Sequence, residues 1–516
     1  MALKVIKQGI EAERLVGETV VQLPVRAEAL VSGAGRETVG VLMSDGFAAV
    51  SGTEGQNDRV VVSGMVYCQA AYRIGREGGA RALTAQAPFE QIVEIPGAAP
   101  RMSIQVEADA EHVEAVYESG HMVFHVTVTL RVRVCSLDTV EAVSDVEGAE
   151  GIQKQMQEIR SAKLNAEASD TVALSDSISL PAALHARVTL MQWAEPVVEK
   201  TERDLGGVRV SGSVRLEALI ASGVSSRPVA LVRYAMPFEQ LISLPDWIAG
   251  EPEALVRIGR LLIEVDERAE GEDSALRLQC DVNITVRLNA QECISLLGDV
   301  YSTGETALEG VREELRLCEG VERCRAQESF KSTLLLPEGA PGVGVVLAVR
   351  VHPVVSGWKE EGGRALVEGV LEASVLYMQA REETLASAQA ELPFSMKLDR
   401  LPDEDAWVKV EAAEAEAAAL MSDRLELRCL LRADCAQRRV AQVPVLTDVT
   451  EQEAEASPPG IGIVYPQPGD TLWTIGRRYR VSGEELRAVN GGIEEAHAGK
   501  PLLILKGKHS AAKQAQ

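Results

Sequence analysis

The chain is poor in the residues that most often carry catalysis. Only 4% of its 516 residues are aromatic and 7 are His, although 46% are hydrophobic. The histidines are scattered, and none stands in H-E-x-x-H or near G-x-S-x-G, the motifs of zinc peptidases and serine hydrolases. The Gly-rich strings at 342–344 and 460–462 lack the Lys-Ser/Thr of a phosphate-binding loop. We therefore expect a protein that is not an enzyme, with no cofactor and no metal site.

Long hydrophobic runs are also missing. No stretch approaches the 18 apolar residues of a membrane-spanning helix, and no positively charged start leads into an apolar run of secretory length. The sequence therefore predicts a cytoplasmic chain without a transmembrane segment. A conventional cell-wall hydrolase, which requires export, is disfavoured on the same ground.

Positive charge is scarce. The chain has 77 Asp or Glu against 52 Lys or Arg, a formal net charge of −25. A surface of this sign repels a phosphate backbone, so nucleic acid is excluded as a general partner. The distribution is uneven: from Gly462 onward there are eight Lys or Arg and five Asp or Glu, a net of +3, which leaves −28 on residues 1–461.

The eight cysteines contain no C-x-x-C pair, so the spacing gives no zinc or redox motif. Cys280 and Cys429 fall at the same inward position of a repeated strand, which indicates small core residues. In a reducing compartment most would remain thiols. Two pairs separated by six residues are the remaining candidates for a disulfide or a metal site, Cys318 with Cys324 and Cys429 with Cys435.

The sequence contains a threefold internal repeat, and such self-similarity indicates an array of homologous units. Three landmarks return in order: a Leu-Pro, a Gly-centred strand-like string and a Pro-Phe string. The Leu-Pro pairs are at 23–24, 180–181 and 336–337, the Gly-centred strings start at Val62, Val210 and Val367, and the Pro-Phe strings start at Pro88, Pro237 and Pro393. The Leu-Pro pairs are 157 and 156 residues apart, and the Pro-Phe strings 149 and 156. The sequence therefore predicts three homologous units.

Within each unit the apolar period is two. Apolar residues alternate with polar ones from Met122 to Val134 and again from Leu276 to Leu288. Such alternation is typical of an antiparallel sheet covered on one side, so we expect β-rich, sandwich-like units. The joining segments around Ile152 and Leu308 fit either a helix or the first strand of the next unit. The turn-forming string at 75–79 suits a hairpin.

The last 55 residues change period repeatedly. Ile463 to Tyr465 predict a short strand, and Asp470 or Thr471 can cap a helix. Ser482 and Glu485 form a capping box for a second helix, and Leu502 to Ile504 predict a closing strand. The predicted order is strand, helix, helix, strand.

This βααβ segment, with its Gly-Asp-Thr-Leu-Trp string, resembles a LysM domain. The resemblance implies a shallow groove between the loop after the first strand and the loop before the last. An N-acetylated glycan is the usual ligand, and some LysM domains dock proteins instead. Carried over by position, the site residues are Gly469, Asp470, Thr471, Leu472, Asn490, Gly491, Gly492 and Ile493.

The repeats resemble SPOCS domains of spore-coat assembly proteins, through the Gly-centred strand, the Pro-Phe string and Asp-Val-Tyr-Ser-Thr at 299–303. Units 1 and 3 keep only Asp-Val of the last string, at 145–146 and 448–449, and unit 3 also lacks the Glu-Gln after Pro-Phe. Several SPOCS units followed by one LysM domain are similar to the SipL family of spore morphogenetic proteins. That resemblance implies a mother-cell adaptor at the forespore surface, in the spore coat, whose LysM end docks a coat morphogenetic ATPase.

We accordingly divide the chain into repeat 1 (1–146), repeat 2 (147–303), repeat 3 (304–450), a linker (451–460), the LysM domain (461–506) and a basic tail (507–516). The Glu-, Ala- and Pro-rich linker predicts a LysM domain tethered with some freedom. Exposed strand edges offer surfaces for a homo-oligomer. The alternative function is binding of peptidoglycan or lipid II through the LysM groove, with the repeats as spacers.

Overall fold

The chain is almost entirely β-structure. The computed structural model describes residues 3–35, 37–75, 79–224, 227–266, 274–381, 384–399, 407–453 and 460–506. Within these ranges the two α-helices both lie near the C-terminus, and no helix is long and apolar enough to cross a membrane. The expectation of three antiparallel β-rich units followed by a βααβ domain is confirmed.

Each unit has six strands. Unit 1 comprises β1 (Lys4–Leu30), β2 (Val39–Gln56), β3 (Arg59–Ile74), β4 (Arg81–Glu94), β5 (Ser103–Glu118) and β6 (His121–Glu147). Unit 2 comprises β7 (Ile152–Leu180), β8 (Ala186–Asp204), β9 (Gly207–Ser222), β10 (Val229–Ser243), β11 (Glu251–Asp266) and β12 (Ser274–Ser302). Unit 3 comprises β13 (Thr306–Leu335), β14 (Val343–Glu361), β15 (Arg364–Gln379), β16 (Leu385–Leu398), β17 (Trp407–Met421) and β18 (Arg424–Glu453). The segments around Ile152 and Leu308 are therefore first strands, not helices.

The six strands of a unit form two three-stranded sheets. In unit 1 one sheet has the order β1-β6-β5 and the other β2-β3-β4, and units 2 and 3 repeat this arrangement. The alternating residues that sequence periodicity indicated, such as Phe124 and Val128, point into a core between the two sheets. The first and last strands of each unit are 27 to 30 residues long, so they extend well beyond this core.

Two of the sequence landmarks are one structural contact. The glycine of each Gly-centred string pairs directly with the phenylalanine of the Pro-Phe string on the neighbouring strand, as Gly64 does with Phe89. A Cβ on Gly64 would lie 2.3 Å from the Phe89 ring and 2.4 Å from the Ala49 carbonyl oxygen. Gly212 with Phe238 and Gly369 with Phe394 repeat the contact. The glycine is needed because ring and backbone occupy the space of a side chain.

The first Leu-Pro landmark is out of register. Leu180 is the last residue of β7 and pairs with Ser274, whereas Leu23 lies inside β1, which continues to Leu30. Val31, whose amide donates to the Gly120 carbonyl just before β6, is the structural counterpart of Leu180, and both side chains are buried. The matching of Leu23-Pro24 to the other Leu-Pro pairs is therefore wrong, because an unrelated Leu-Pro occurs eight residues upstream. Val31 and Leu180 are 149 positions apart, the same spacing as the first two Pro-Phe strings.

The three units meet around a common axis and form a ring. Three hydrophobic clusters each draw residues from all three units, and the first is contributed by the shorter strands: Leu42, Met43, Ala71, Leu190, Met191, Leu219, Ala221, Val229, Ala348, Leu376, Met378 and Leu385. The other two lie on the long strands and include Ile10, Ile159 and Leu317 in one and Val146, Val300 and Val449 in the other. The ring therefore has a core of its own, separate from the core of each unit.

The end of each long last strand carries an Asp-Val pair, which we call the corner of that unit. At each corner the aspartate accepts a hydrogen bond from the next backbone amide and pairs with a cation on the first strand of the following unit. The pairs are Asp145 with Lys154, Asp299 with Arg312 and Asp448 with Lys7. The last of these joins unit 3 to unit 1, so the ring is closed.

The LysM domain comprises β19 (Gly460–Val464), α1 (Leu472–Tyr479), α2 (Gly483–Val489) and β20 (Leu502–Lys506). Thr471 caps α1, and the predicted capping box of Ser482 and Glu485 is present at α2. Strand β18 runs to Glu453. The rest of the predicted linker up to residue 459, the basic tail 507–516 and the centre of the turn at 75–79 lie outside the described residues.

The cysteines are thiols in this structure, and six are buried. Cys280 and Cys429 lie in the cores of their units. Neither six-residue pair is juxtaposed by the strands. Instead Cys324 on β13 pairs in register with Cys435 on β18, a long-range neighbourhood that spacing along the chain cannot reveal.

Candidate functional site

The two loops of the predicted groove are held together by the LysM core. Leu472, at the start of α1, is buried with Ile475, Leu486 and Ile504, and Ile493 packs against the same cluster. The loop after β19 is also tied to the segment before β20, because the Gly499 amide donates to the Pro466 carbonyl at 3.2 Å. The fold therefore places both predicted loops side by side.

Two of the predicted site residues have structural duties. Leu472 is a core residue. The Asn490 side chain donates to the carbonyls of Leu486 and Leu503 and accepts from the Leu503 amide, all at 2.7–2.8 Å. It joins the end of α2 to β20, so its amide group is already satisfied within the domain.

The exposed part of the groove is mostly backbone. Gly469, Gly491 and Gly492 are exposed and have positive φ angles, and Thr471 is exposed beside them. Glycines at such positions leave main-chain groups open to a ligand. This part of the groove therefore offers exposed backbone at Gly469 and Gly491, together with the half-buried Ile493 as an apolar contact. The Gly492 amide is already bonded to the Arg487 carbonyl at 2.8 Å.

Asp470 closes the first loop. Its carboxylate accepts the Gln467 amide at 2.9 Å and pairs with Arg478 at 2.8 Å. These hydrogen bonds, that of the Gln467 amide first, lower the pKa of Asp470, so it is ionised at neutral pH. It is not the helix cap, which is Thr471.

The opposite face of α1 packs on the unit 2 corner. The Trp473 ring meets the Tyr301 ring edge-on, with centroids 4.8 Å apart, and the Tyr301 hydroxyl donates to the Val481 carbonyl at 2.9 Å. Burial raises the pKa of Tyr301 to about 12, so the hydroxyl remains a donor. The prediction of a LysM domain tethered with some freedom is wrong: the domain is docked on the ring.

Asp299 is the centre of this contact and is only 13% exposed. It accepts the Trp473 indole N–H at 2.8 Å and both its oxygens lie within 3.0 Å of the Arg477 guanidinium. Arg312, the corner partner from unit 3, approaches at 2.7 Å. One carboxylate therefore ties the LysM domain, unit 2 and unit 3 together through charge-assisted hydrogen bonds.

Arg480 completes the contact through backbone oxygens. Its guanidinium donates to the carbonyls of Ser302, Gly304 and Thr306, in the connection between units 2 and 3. Arg480 itself adopts φ of 58°, at the C-terminal cap of α1. A residue at the end of helix α1 therefore binds the backbone that connects units 2 and 3.

Gly476 shows that helix α1 is adapted to this contact. A glycine inside a helix costs about 1 kcal/mol relative to alanine. A Cβ at this position would lie 2.5 Å from the Tyr301 hydroxyl oxygen and 2.8 Å from the Val481 carbonyl oxygen. The glycine makes room for Tyr301, which is a reason for its presence in the helix.

Sequence reasoning did not assign this docking contact. Asp299 and Tyr301 were recognised only as part of a repeat hallmark, and Trp473 and Arg477 only as part of the LysM segment. The available signal was the asymmetry among the corners: where unit 2 has Tyr301, unit 1 has Glu147 and unit 3 has Thr450. A tyrosine present at one of the three corners indicates a contact that is specific to that corner.

Comparison with known protein families identifies both types of domain in the chain. Residues 40–118 match the family model described as SipL, SPOCS domain, and residues 467–504 match the LysM domain. The chain therefore carries a SipL-type SPOCS domain and a C-terminal LysM domain, as the sequence motifs indicated. Searches of curated proteins and of solved structures found no match. The two domain types indicate a sporulation protein with a glycan-binding module.

Proposed function

We propose that this protein is a noncatalytic adaptor of spore coat assembly in the mother-cell cytoplasm, which docks a coat morphogenetic ATPase at the forespore surface through its LysM end. The observation that carries the proposal is the fixed position of the LysM domain. Its α1 face is used by the ring, while the loops around Gly469 and Gly491 stay exposed. A binding module that specific contacts hold in one position on the ring suits an adaptor, because less conformational freedom is lost on binding.

The second candidate is recognition of an N-acetylated glycan, in peptidoglycan or lipid II, by the same groove. It is favoured by the LysM match and by the exposed backbone of the glycine-rich loops. The two candidates share a surface and differ in ligand, so a common set of variants separates them.

The variants place a bulky cation beside each groove loop. Gln467→Arg and Glu494→Arg change exposed residues that neighbour Gly469 and Ile493, and Ala488→Arg changes an exposed residue of α2 as the matched control. Substitution of Asn490 is unsuitable, because its side chain holds β20 to α2. All three variants are expected to keep the LysM fold.

Binding of the full chain to the purified coat ATPase is expected to fall at least about tenfold, or 1.4 kcal/mol, in the two groove variants and to stay unchanged in the control. Unchanged binding in every variant removes the groove from the proposal. Equal binding by a chain ending at Glu453 would then exclude docking through the LysM end altogether.

Calorimetric titration of the same proteins with chitin oligosaccharides or peptidoglycan fragments tests the glycan. Binding that both groove variants abolish and the control retains supports glycan recognition. If wild-type protein gives no heat with either glycan but still binds the ATPase, glycan recognition is excluded and the adaptor function remains.

A further inference from the structure

Unit 2 presents a large apolar pair at the tip of two adjacent turns. Leu205, in the β8–β9 hairpin, is 87% exposed, and Trp247, in the β10–β11 loop, is 84% exposed. We call Leu205 and Trp247 the unit 2 tip. An exposed tryptophan in water is unfavourable, and tryptophan is the residue most enriched at the energetic centres of protein interfaces.

Hydrogen bonds hold both turns of the tip in place. The Leu244 amide donates to the Gly206 carbonyl at 3.1 Å, and the Gly206 amide donates to the Asp246 carboxylate at 2.8 Å. The Arg203 guanidinium donates to the Ile248 carbonyl. The apolar pair is therefore presented by a preorganised backbone, which lowers the entropic cost of binding.

The fold does not require these side chains. The same two turns in unit 1 are joined by the same type of hydrogen bonds, from Ile95 to Asp58 and from Gly97 to the Asp58 carboxylate. There the hairpin residue is Asn57, and the loop carries the small Ala98 and Ala99. Unit 1 therefore forms the same two turns without the exposed pair.

A second exposed apolar surface of the molecule lies on the LysM domain. Ile461 pairs with Leu505 and Ile463 with Leu503 across β19 and β20, so these side chains share the face opposite the LysM core. Ile461 is 76% and Ile463 63% exposed, and Tyr465 continues the row. We call Ile461, Ile463, Tyr465, Leu503 and Leu505 the LysM outer face. Neither the groove loops nor the docked side of α1 belongs to it.

The two surfaces have opposite electrostatic surroundings. Four carboxylates and two cations lie on or beside the two turns of the unit 2 tip: Asp204, Glu239, Asp246 and Glu251 against Arg203 and Arg209. Arg209 is already paired with Asp204 and Glu239, and the balance is a net of −2. After Glu495 the chain has no acidic residue and four lysines, Lys500, Lys506, Lys508 and Lys513. An acidic tip on a body of −28 is repelled by an anionic membrane and by another acidic body, and is attracted to the basic end of the chain.

We propose that the unit 2 tip of one copy binds the LysM outer face of a second copy. The contact joins two different surfaces, so each molecule keeps one free tip and one free face, and copies add head to tail. This self-assembly goes beyond the adaptor function and does not depend on the ATPase or on glycan.

The test uses full-length protein in sedimentation velocity from about 1 µM to 1 mM, the affinity range of small interfaces. Wild type is expected to grow in size with concentration, and higher salt is expected to weaken the association. A tip variant, Leu205→Asn with Trp247→Ala, installs the small or polar side chains of unit 1. A face variant, Ile461→Thr with Ile463→Thr, keeps β-branched residues in the strand.

Each variant alone is expected to stay monomeric, and an equimolar mixture is expected to form a 1:1 complex and nothing larger, because only one tip and one face remain. Leu335→Asn, at a residue of unit 3 that is 62% exposed, should associate like wild type. Circular dichroism checks that every variant is folded.

Wild type that stays monomeric throughout overturns the proposal. So does a mixture of the variants that fails to form the 1:1 complex, or a tip variant that associates like wild type. Binding of monomeric wild type to phosphatidylglycerol vesicles, lost in the tip variant, would assign the tip to a membrane instead and also overturns it.

Discussion

The corners of units 1 and 2 have the same backbone and the same Asp-Val pair, yet only the unit 2 corner holds the LysM domain. Among the described residues Asp145 forms an ion pair only with Lys154, and its side chain is 41% exposed. Asp299 meets Arg312, Arg477 and Trp473, and its side chain is 13% exposed. The position after Val is Glu147 in unit 1 and Tyr301 in unit 2. A repeated fold therefore supplies equivalent places, and single side chains decide which of them acquires a partner.

The largest contrast is expected from removing each aspartate. Asp299→Ala leaves two guanidinium groups without their shared carboxylate, so it should lower the free energy of unfolding of the docked state by about 1.5–3 kcal/mol. Asp145→Ala removes an exposed ion pair and should cost at most about 1 kcal/mol. Hydrogen exchange of the α1 amides should accelerate only in Asp299→Ala. Equal acceleration in both variants would contradict the assignment of the unit 2 corner as the docking place.

Exchanging the corner residues tests the role of the tyrosine. Tyr301→Glu, which installs the unit 1 residue, should release α1, because a charge replaces the ring against Trp473. Tyr301→Phe loses only the hydrogen bond to Val481 and should cost about 1 kcal/mol. The fluorescence of Trp473, compared with a Trp473→Phe background, reports its transfer to water. Glu147→Tyr in unit 1 is the control and should leave the fluorescence unchanged.

Gly476→Ala should cost more in wild type than in a Tyr301→Ala background. In wild type the added methyl meets both the Tyr301 hydroxyl and the Val481 carbonyl oxygen, so it weakens docking. Together with Tyr301→Ala only the contact with the Val481 carbonyl oxygen remains, and the higher helix propensity of alanine, about 1 kcal/mol, offsets part of the cost. Chemical unfolding of the four proteins gives the coupling directly. Destabilisation of the same size in both backgrounds would show that Gly476 is not an adaptation to Tyr301.

The smallest expected effect is on the pH dependence of stability, through Asp145 at the unit 1 corner. The hydrogen bond from Lys154 lowers the pKa of Asp145 below its ordinary value of 3.8. The stabilisation is therefore present above the unfolded pKa and is lost as the pH falls through the folded one. For an exposed pair it amounts to a few tenths of a kcal/mol. The stability difference between wild type and Asp145→Asn should shrink on going from pH 6 to pH 3; a constant difference would contradict it.

Local signals along the chain predicted the units well. Alternation from Met122 to Val134 identifies a strand because its side-chain period is two, and the glycine and phenylalanine landmarks recur because Gly64 and Phe89 touch. The LysM caps at Ser482 and Glu485 act within one turn, so they are visible in sequence. Features that depend on neighbours within a few residues, or on a contact that recurs in each unit, could therefore be predicted from the sequence.

Features that depend on residues far apart in the chain could not be predicted from the sequence. The Leu-Pro landmark failed because a dipeptide at Leu23 carries no information about strand register, which pairing with β6 decides. The composition of the linker indicated a loose tether, but the position of the LysM domain is decided by Trp473 and Asp299, 174 residues apart in sequence. Of the predicted groove, the exposed glycines follow from local φ requirements, whereas the structural duty of Asn490 depends on β20.

Closure of the ring between Asp448 and Lys7 has a consequence for biosynthesis. Strand β1 is synthesised long before β18, the last strand of unit 3, to which this ion pair joins it, so the apolar faces around Met43 and Met191 stay uncovered until unit 3 has been translated. Nascent chains that expose apolar surface for this long are prone to misassembly. A stalled or prematurely terminated chain is therefore expected to be a better substrate for chaperones and proteases than the finished ring.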